Sequence, residues 1–549
     1  MAYLTLLVAM VLFCGLAQAT APPTPASVWV ASPWEQVSKT ATPGLARDIQ
    51  LSAARNEYEP ARIIVTAGSE RLHAVSAKAG PLTGPGGKGI AASNLRFFRE
   101  HYLNIDKPSH RSAAAPGWYP DPLVPFPGHR LEPGAEEAQY HGAPFDVEAG
   151  CSQGVWVDVY VPRNVPAGEY RGAITVTSAG KTLARVPLSL IVFDFTLPDT
   201  FAMRSNFGSL GDRLARQLGM EAESEQFAQV EDLYIDELLS HRCQPSSLGH
   251  IWPEWSPEKG IDDTRSEARL RRMVEQRHIN SLMVPFRYQE EPDKCAAYLR
   301  AMEAYLKREG FLDLSYIYML DEPNTAEQYE AVRQQGKLIH EAAPGIKRLC
   351  TEQPQTDDPA FGDLYGAVDI WCPLWPIYDE AAARARQALG ESIWTYTALC
   401  QASGKIPFWE IDFPPVMYRA PFWTCWRYDI TGILYWSSIW WKDPAVVWER
   451  PVYPEGELNF WGEGVLLYPG QPAGMEGPVP SIRLKLIREA MEDYEYMSLA
   501  AKAAGKAEVD RVVAAVARSF SDWESDPDAY LRARAKLAKL IEGRHTSDN

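Results

Sequence analysis

Residues 315–324 read SYIYMLDEPN and give the strongest indication of the fold. The run is apolar, aromatic and β-branched, which favours a strand, and it ends in two consecutive carboxylates, Asp321 and Glu322, followed by a proline. Helical patterns precede and follow it, at residues 293–308 and 326–342. A strand between two helices predicts βαβ units, in which the strands of one sheet run parallel.

The same alternation of short apolar runs and helical patterns extends over residues 202–450. About eight such units in about 250 residues is the size of a (β/α)₈ barrel. We therefore predict a TIM-like catalytic barrel over residues 200–475, followed by a C-terminal helical segment over residues 476–549. The predicted strands are 281–286, 315–320, 348–351, 368–372, 393–396 and 432–435, and the predicted helices are 293–308, 326–342 and 380–389.

The N-terminal part of the chain has a different pattern. Residues 155–161 read VWVDVYV and residues 173–177 read AITVT, and turns containing Gly or Pro separate such runs. Short β-branched strands with this spacing favour a β-sandwich, which we predict over residues 27–197. Residues 108–144 are rich in Pro, Gly and Ala, and we expect a long surface loop there.

An export signal is predicted at the N-terminus. Residues 4–16 form an apolar run that is too short to span a bilayer, and Ala17-Gln18-Ala19 after it matches an A-x-A cleavage pattern. We expect cleavage of residues 1–19 and a secreted or periplasmic location. No later segment of the sequence has the length and apolarity of a membrane span.

The composition argues against several classes of function. The formal net charge of −17 over 549 residues is unfavourable for general binding to nucleic acid or to anionic membranes. The ten histidines form no H-E-x-x-H or other ligand cluster, so neither a metal nor another cofactor is predicted. Seven of the eight cysteines lie beyond the predicted signal, and their scattered spacing predicts no disulfide framework.

The carboxylates at the end of the 315–320 strand are the first candidates for chemistry. In a (β/α)₈ barrel the catalytic groups gather at the C-terminal ends of the strands, where Asp321 and Glu322 are expected. The alternative is that the pair only caps the helix that follows, as acidic residues often do.

Tryptophan is the second indication of a site. Eleven of the 18 tryptophans fall between Trp371 and Trp461. Indole rings form apolar platforms for the C–H faces of sugars and carry an N–H donor, so this density favours a carbohydrate ligand over simple core packing. Trp375 and Trp436, near the ends of two predicted strands, are our candidates for the walls of a sugar subsite.

Five ordered blocks extend over about 330 residues: 168-GEYRG-172, 321-DEP-323, 432-GILYW-436, 462-GEG-464 with 467-LYPG-470, and 480-PSIR-483 through 492-EDYEY-496. Together they resemble glycoside hydrolase family 123 and its relatives. The resemblance implies an N-terminal β-sandwich, a barrel, and exo-acting hydrolysis that releases β-linked N-acetylgalactosamine from a glycan or glycolipid. It also implies that Asp321 and Glu322 are catalytic and that the substrate's own acetamido group is the nucleophile.

The spacing of the pair is compatible with that mechanism. A conventional retaining glycosidase places its acid and nucleophile about 5–5.5 Å apart on either side of the scissile bond. Consecutive residues of one strand point to opposite faces and do not easily flank a bond. We therefore expect Glu322 to act as acid/base and Asp321 to hold the acetamido N–H. Tyr396, at a predicted strand end, is the candidate for steadying the acetamido oxygen.

Two alternatives remain at the level of sequence. In the first, Glu322 is the acid/base and Glu410 is a true nucleophile from a later barrel loop, an arrangement suited to neutral sugars. In the second, the protein is a non-catalytic carbohydrate-binding protein, with the tryptophans as its binding surface.

Overall fold

The computed structural model describes residues 24–127, 138–356, 358–399 and 406–543, so the predicted signal lies outside the described residues. The strands, numbered in chain order, are β1 (Ser27–Ala31), β2 (Ile49–Arg55), β3 (Glu57–Thr66), β4 (Leu72–Ala79), β5 (Leu82–Thr83), β6 (Gly89–Ile90), β7 (Leu95–Ile105), β8 (Gly117–Pro125), β9 (Phe145–Val147), β10 (Ser152–Val161), β11 (Gly168–Ser178), β12 (Lys181–Thr196), β13 (Arg204–Asn206), β14 (Glu254–Ser256), β15 (Gly260–Asp262), β16 (Leu282–Met283), β17 (Ser315–Tyr318), β18 (Lys347–Cys350), β19 (Ile370–Trp371), β20 (Ser392–Tyr396), β21 (Gly432–Leu434), β22 (Val452–Glu455), β23 (Leu458–Trp461), β24 (Leu467–Tyr468), β25 (Val479–Pro480), β26 (Ala517–Ser519) and β27 (Asp522–Trp523). The helices are α1 (Gly211–Leu218), α2 (Glu225–Ser240), α3 (Glu267–Arg271), α4 (Pro292–Glu309), α5 (Ala326–Ala342), α6 (Glu380–Gln387), α7 (Ala420–Arg427), α8 (Ile482–Ala504), α9 (Lys506–Val513) and α10 (Pro527–Ile541).

The N-terminal part is a sheet-rich domain, as the sequence predicts. One sheet has the strand order β1-β3-β10-β7-β8, and the other has the order β2-β12-β11-β4-β9. Val157 of β10 and Ile174 of β11 belong to one buried apolar cluster to which both sheets contribute. Two sheets that share a core in this way have the packing that a β-sandwich requires.

The surface loop predicted at residues 108–144 is wrong in its central part, where the chain forms β8. This strand pairs with β7, and its Asp121 is fully buried. The pairing with β7, the preceding strand of the chain, overrides the weak strand propensity of Pro and Gly. Residues 128–137 of the predicted loop lie outside the described ranges.

The second unit is built on a curled parallel sheet. Its strand order is β13-β21-β20-β19-β18-β17-β16, and every paired neighbour is parallel. Each of the six strands predicted in this region overlaps a strand of the sheet, and α4, α5 and α6 overlap the three predicted helices. The sheet is a half-barrel that fits a TIM-like barrel.

The two edges of this sheet are linked by the segment around Gln244. Within the described residues β13 and β16 are not paired with each other. The N–H of Phe207, next to β13, donates to the carbonyl of Gln244 at 2.8 Å. The side-chain amide of Gln244 donates to Oγ of Ser281, next to β16, at 2.6 Å. Gln244 therefore spans the gap between the edge strands through its backbone on one side and its side chain on the other.

The C-terminal region is helical, and its long helix α8 ties the two units together. Arg483 of α8 donates to Asp121 of β8 at 2.9 Å, and Arg488 donates to Asp158 of β10 at 3.0 Å. All four side chains are buried. Both strands belong to the first sheet. Removal of one partner would leave an uncompensated buried charge, so these pairs hold that sheet against the helix. None of the helices in the described part of the chain is long and apolar enough to cross a membrane. The domain limits given above stay predictions.

Candidate active site

Asp321 and Glu322 follow β17 at the C-terminal edge of the parallel sheet. Both carboxylates are exposed, and both line the same cavity. Glu322 has a φ of 44°, in the left-handed region that residues with a Cβ seldom adopt. Its N–H donates to Oγ1 of Thr351 at 2.8 Å, a contact that helps to hold the unfavourable backbone. The bend takes the pair out of the strand, so strand alternation does not separate the two side chains.

Asp321 is held by two hydroxyl groups. The phenol of Tyr318 donates to its Oδ1 at 2.5 Å, and the hydroxyl of Thr351 donates to the same oxygen at 2.8 Å. Burial and the charge of Asp321 raise the pKa of Tyr318 well above its usual range, so the phenol stays protonated and remains a donor. Among the described residues, this arrangement leaves Oδ2 of Asp321 for a ligand.

Glu322 has a separate partner. The phenol of Tyr396, at the end of β20, donates to Oε1 of Glu322. Burial, and then the charge of Glu322, raise the pKa of Tyr396 far above the usual value of a phenol. Different tyrosines therefore orient the two carboxylates. Thr351 links the two residues in another way, since its hydroxyl donates to the carboxylate of Asp321 and accepts the backbone N–H of Glu322.

The cavity has a volume of about 580 Å³, within the range of about 300–1,000 Å³ that is usual for small-molecule sites. The carboxylate pair lies on one part of its lining, and the rings of Tyr318, Tyr396, Trp436 and Tyr453 supply aromatic walls. A cavity that combines charged acceptors with aromatic faces suits a polyhydroxylated ring, which has both O–H donors and apolar C–H faces.

The structure brings four of the six residues predicted from sequence into this cavity: Asp321, Glu322, Tyr396 and Trp436. Tyr396 contacts Glu322, which places its phenol on the acid/base candidate rather than in a free position for an acetamido oxygen. The indole N–H of Trp436 donates to Oε1 of Glu463, a buried residue behind the cavity wall.

Trp375 does not line the cavity. It is 2% exposed and stacks on Phe520, with ring centroids 4.3 Å apart. It also meets Trp523 edge-on. These partners come from the C-terminal β26–β27 region, so Trp375 is a core residue that fixes this region to the sheet, and the predicted platform role is not supported.

Glu410 does not line the cavity either. It is 1% exposed, and its Oε2 has no hydrogen-bond partner within the described residues. Burial, and then the charge of the neighbouring Glu463, raise the pKa of Glu410 well above its usual range. A carboxyl group that is buried and favoured in its neutral form is a poor nucleophile for an exposed sugar.

Sequence reasoning missed Tyr318, Thr351 and Tyr453. Tyr318 lies in the segment 315–324 itself, and Thr351 ends the next predicted strand, so adjacent parallel strand ends were a usable signal for both. Tyr453 comes from the β22–β23 hairpin, and nothing in the local sequence of that hairpin indicates where it packs.

No metal centre is evident in the part of the chain that the structure describes, where no group of three or more His, Cys, Asp or Glu side chains lies close enough to hold an ion.

A half-barrel with an exposed carboxylate pair at its C-terminal edge, opening into a cavity with aromatic walls, is typical of carbohydrate-active enzymes of the barrel class. The chain belongs to glycoside hydrolase family 123 and is a glycoside hydrolase, as its sequence blocks predict. The family model "Glycoside hydrolase 123, catalytic domain" matches residues 263–500, and "Glycoside hydrolase 123 N-terminal domain" matches residues 34–178.

Of three similar solved structures, one has the same fold. A family 123 glycoside hydrolase from Clostridium perfringens, described as hydrolysing glycolipid glycans, is 15% identical, with a TM-score of 0.66 over 95% of this chain and 97% of that chain. A GH5 xyloglucanase from Bacteroides ovatus is 9% identical, with a TM-score of 0.28 over 85% of this chain and 100% of that chain. A family 39 glycoside hydrolase from Bacteroides cellulosilyticus is 8% identical, with a TM-score of 0.31 over 81% of this chain and 82% of that chain. A comparison with the sequences of curated proteins gives no match.

Proposed function

We propose that this enzyme releases β-linked N-acetylgalactosamine from the ends of glycans, glycolipid glycans included, by retaining hydrolysis in which the substrate's acetamido group is the nucleophile. The observation that carries the proposal is the carboxylate pair. Asp321 and Glu322 are consecutive, line one cavity and are held by different partners. The sugar class follows from the family, and the glycolipid from what is described for the Clostridium perfringens enzyme.

Glu322 is the general acid/base. In its protonated form, its exposed carboxyl group gives a proton to the glycosidic oxygen as the bond to the leaving group breaks, and the resulting carboxylate then takes a proton from the incoming water. The phenol of Tyr396 orients the carboxylate through Oε1. This assignment replaces the role that the sequence suggested for Tyr396 at the acetamido oxygen.

Asp321 orients the nucleophile. Tyr318 and Thr351 both donate to Oδ1, so Oδ2 is the oxygen that accepts the acetamido N–H of the substrate. A charge-assisted hydrogen bond of this kind pulls the amide towards C1 and stabilises the positive charge that develops on its nitrogen. The acetamido oxygen then attacks C1 and forms a bicyclic oxazoline.

The neutral-sugar alternative requires a protein nucleophile opposite the acid. Glu410 was its candidate, and Glu410 is buried outside the cavity that holds Glu322. Two consecutive carboxylates reach a bound sugar from the same strand end, whereas acid and nucleophile must lie on opposite sides of the bond. Both features favour the acetamido group as nucleophile.

Two further expectations belong to the same proposal. The segment around Gln244 takes the position of the missing strand and completes a (β/α)₈-like barrel, because it bonds to both edges of the sheet. The chain is exported by cleavage of residues 1–19, which places the enzyme where it meets extracellular or periplasmic glycans.

The proposal is tested by hydrolysis of four nitrophenyl β-glycosides, those of N-acetylgalactosamine, N-acetylglucosamine, galactose and glucose. We expect activity on the acetamido sugars, highest for the galacto form, and a β-configured first product. Faster hydrolysis of galactose or glucose, or an α-configured first product, would overturn it.

A further inference from the structure

The Gly462-Glu463-Gly464 turn lies directly behind the aromatic wall of the cavity. Glu463 is 2% exposed and does not itself line the cavity. Its Oε1 accepts the indole N–H of Trp436, a cavity residue, and its carboxylate also accepts the backbone N–H of Leu399, another cavity residue. One buried carboxylate therefore holds two pieces of the wall that come from different strand ends.

The two glycines fit the turn closely against this wall. Gly464 has a φ of 71°, and a Cβ at this position would lie 2.5 Å from Cζ2 of Trp436. Gly462 has a φ of 82°, and a Cβ there would lie 2.6 Å from Nη2 of Arg483. Only glycine allows both the backbone conformation and the close approach, so the turn brings Glu463 to the indole N–H and Gly464 against the six-membered ring of the same indole.

The turn is also anchored from behind. Arg483 of α8 donates to the carbonyl of Gly462 at 2.8 Å and to that of Val465. The N–H of Gly464 donates to the phenol of Tyr435 at 2.8 Å, and that phenol lies 3.3 Å from Oε2 of Glu463. Glu463 thus has a fixed position, and an acceptor with a fixed position fixes the orientation of the indole to which it bonds.

We infer that Glu463 is a positioning residue that sets the orientation of Trp436, and with it the platform on which the sugar ring binds. The inference rests on the proposed function in that the ligand is a sugar in this cavity. A platform contacts the ring throughout the reaction, so its loss weakens binding of substrate and transition state together, and the effect appears in KM more than in kcat.

The test compares two variants of similar size. Glu463→Met removes the acceptor but fills the space, and a buried apolar replacement of this kind is usually tolerated. Glu463→Gln retains an oxygen acceptor for the indole N–H. We expect about a tenfold rise in KM for Glu463→Met with kcat within about threefold, and a KM close to wild type for Glu463→Gln. Glu495→Met is the control. It removes a buried carboxylate of α8 that accepts the backbone N–H of Ala202, and it should leave KM unchanged.

A double-mutant cycle shows whether Glu463 acts through Trp436. Trp436→Phe keeps an aromatic ring and removes the N–H, so the combination with Glu463→Met should be no worse than the more impaired single variant. Multiplying losses, a Glu463→Gln variant as impaired as Glu463→Met, or an unchanged KM in Glu463→Met would each overturn the inference. The assay uses whichever nitrophenyl glycoside the wild type hydrolyses fastest, so an error in the proposed sugar shows in the wild-type profile and leaves the Glu463 comparison intact.

Discussion

The phenol of Tyr396 donates a hydrogen bond to Oε1 of Glu322, from the end of β20 to a residue that follows β17. The strands β18 and β19 lie between β20 and β17 in the sheet, so the bond crosses the mouth of the half-barrel. It connects the acid/base to a part of the scaffold other than its own strand, and it fixes the carboxylate relative to the cavity as well as to the bend after β17.

Replacement of Tyr396 by Phe should lower kcat by about 10- to 100-fold, because a hydrogen bond to a charged group contributes about 1.5–3 kcal/mol. Steady-state kinetics on the best nitrophenyl glycoside measure the effect. Tyr305→Phe is the matched control, since Tyr305 is a buried tyrosine of α4 whose hydroxyl has no partner in the described part of the chain. Equal losses in both variants would show that Tyr396 acts through general packing.

Glu322→Gln should impair hydrolysis most for substrates with poor leaving groups. General acid catalysis contributes about 10²–10⁴-fold when the leaving oxygen needs a proton, and little when departure is easy. The comparison is between a dinitrophenyl and a methylumbelliferyl glycoside, with kcat/KM as the measured quantity. A loss of the same size on both would assign the acid role to another group.

Trp436 and Trp375 should respond to truncation in opposite ways. Trp436→Ala is expected to weaken transition-state binding by about 1–3 kcal/mol, calculated from the ratio of kcat/KM values, because the ring walls the cavity. Trp375→Ala should instead reduce the free energy of unfolding by about 3–5 kcal/mol through the loss of its stack on Phe520, with kcat/KM of the folded enzyme preserved. Urea unfolding and kinetics on the same preparations separate the two effects. A Trp375 variant that is stable but inactive would restore its predicted role at the subsite.

The sequence predicts the six strands from β16 to β21 because each is a short apolar run between helical patterns. Since catalytic groups gather at strand ends in such folds, the end of the 315–320 strand also indicates Asp321 and Glu322 as site residues. It does not predict β13, whose three residues, Arg204 to Asn206, are all polar. Nor does it predict β8, in which three prolines fall within nine residues. An uninterrupted apolar run marks a strand even when the strand is short, and these two strands lack such a run and depend on tertiary pairing.

The density of tryptophan does not distinguish wall from core: of the eleven tryptophans between Trp371 and Trp461, all within the described residues, Trp436 is the one that lines the cavity, and most of the others are buried. Trp375 and Trp436 both lie near strand ends, and the difference between them is made by distant residues, Phe520 for the first and Glu463 for the second. Contacts between segments so far apart leave no local pattern. Glu410 lies outside the cavity for the same reason: its neighbour Ile411 donates its backbone N–H to the carbonyl of Trp461 at 2.9 Å, so its burial depends on contact with the segment that leads to Glu463.

Mild acid should destabilise the protein through His101, and the effect is separable from catalysis. The imidazole packs against the rings of Tyr140 and Trp448, and its Nε2–H donates to the carbonyl of Trp448 at 3.0 Å. Burial, together with the smaller effect of the charges of Arg99 and Lys39, lowers the pKa of His101 from 6.5 to about 4. The unfolded chain therefore binds this proton more readily than the folded protein between these values, so stability is complete above about pH 6.5 and falls towards pH 4.

The measurement is the free energy of unfolding in urea at pH 7 and pH 5. His101→Gln, which does not titrate but retains a donor, should lose about 2 kcal/mol less than the wild type over this interval. His340→Gln, at an exposed position of α5, is the control and should follow the wild type. Parallel pH profiles for wild type and His101→Gln would contradict the assignment.

The mechanism itself is tested by the intermediate that each scheme forms. If the acetamido oxygen attacks C1, the intermediate is an oxazoline and no sugar becomes attached to the protein. A stable thiazoline derived from N-acetylgalactosamine mimics that intermediate and should inhibit competitively, with a far lower Kd than the free sugar.

Asp321→Ala should weaken binding of this thiazoline strongly, since it removes the charged partner of the ring nitrogen, and Glu322→Gln should weaken it less. Thr351→Val should weaken thiazoline binding to an intermediate degree, because Thr351 holds both Oδ1 of Asp321 and the N–H of Glu322. Thr351→Ser retains the hydroxyl and should bind the thiazoline nearly as well as the wild type.

The neutral-sugar scheme predicts a different set of results: an inert thiazoline, and a 2-fluoro sugar that forms an ester on Glu410, visible by mass spectrometry of the peptide that contains it. That adduct requires a carboxylate in contact with C1, and the burial of Glu410 outside the cavity is the physical reason to expect that it does not form.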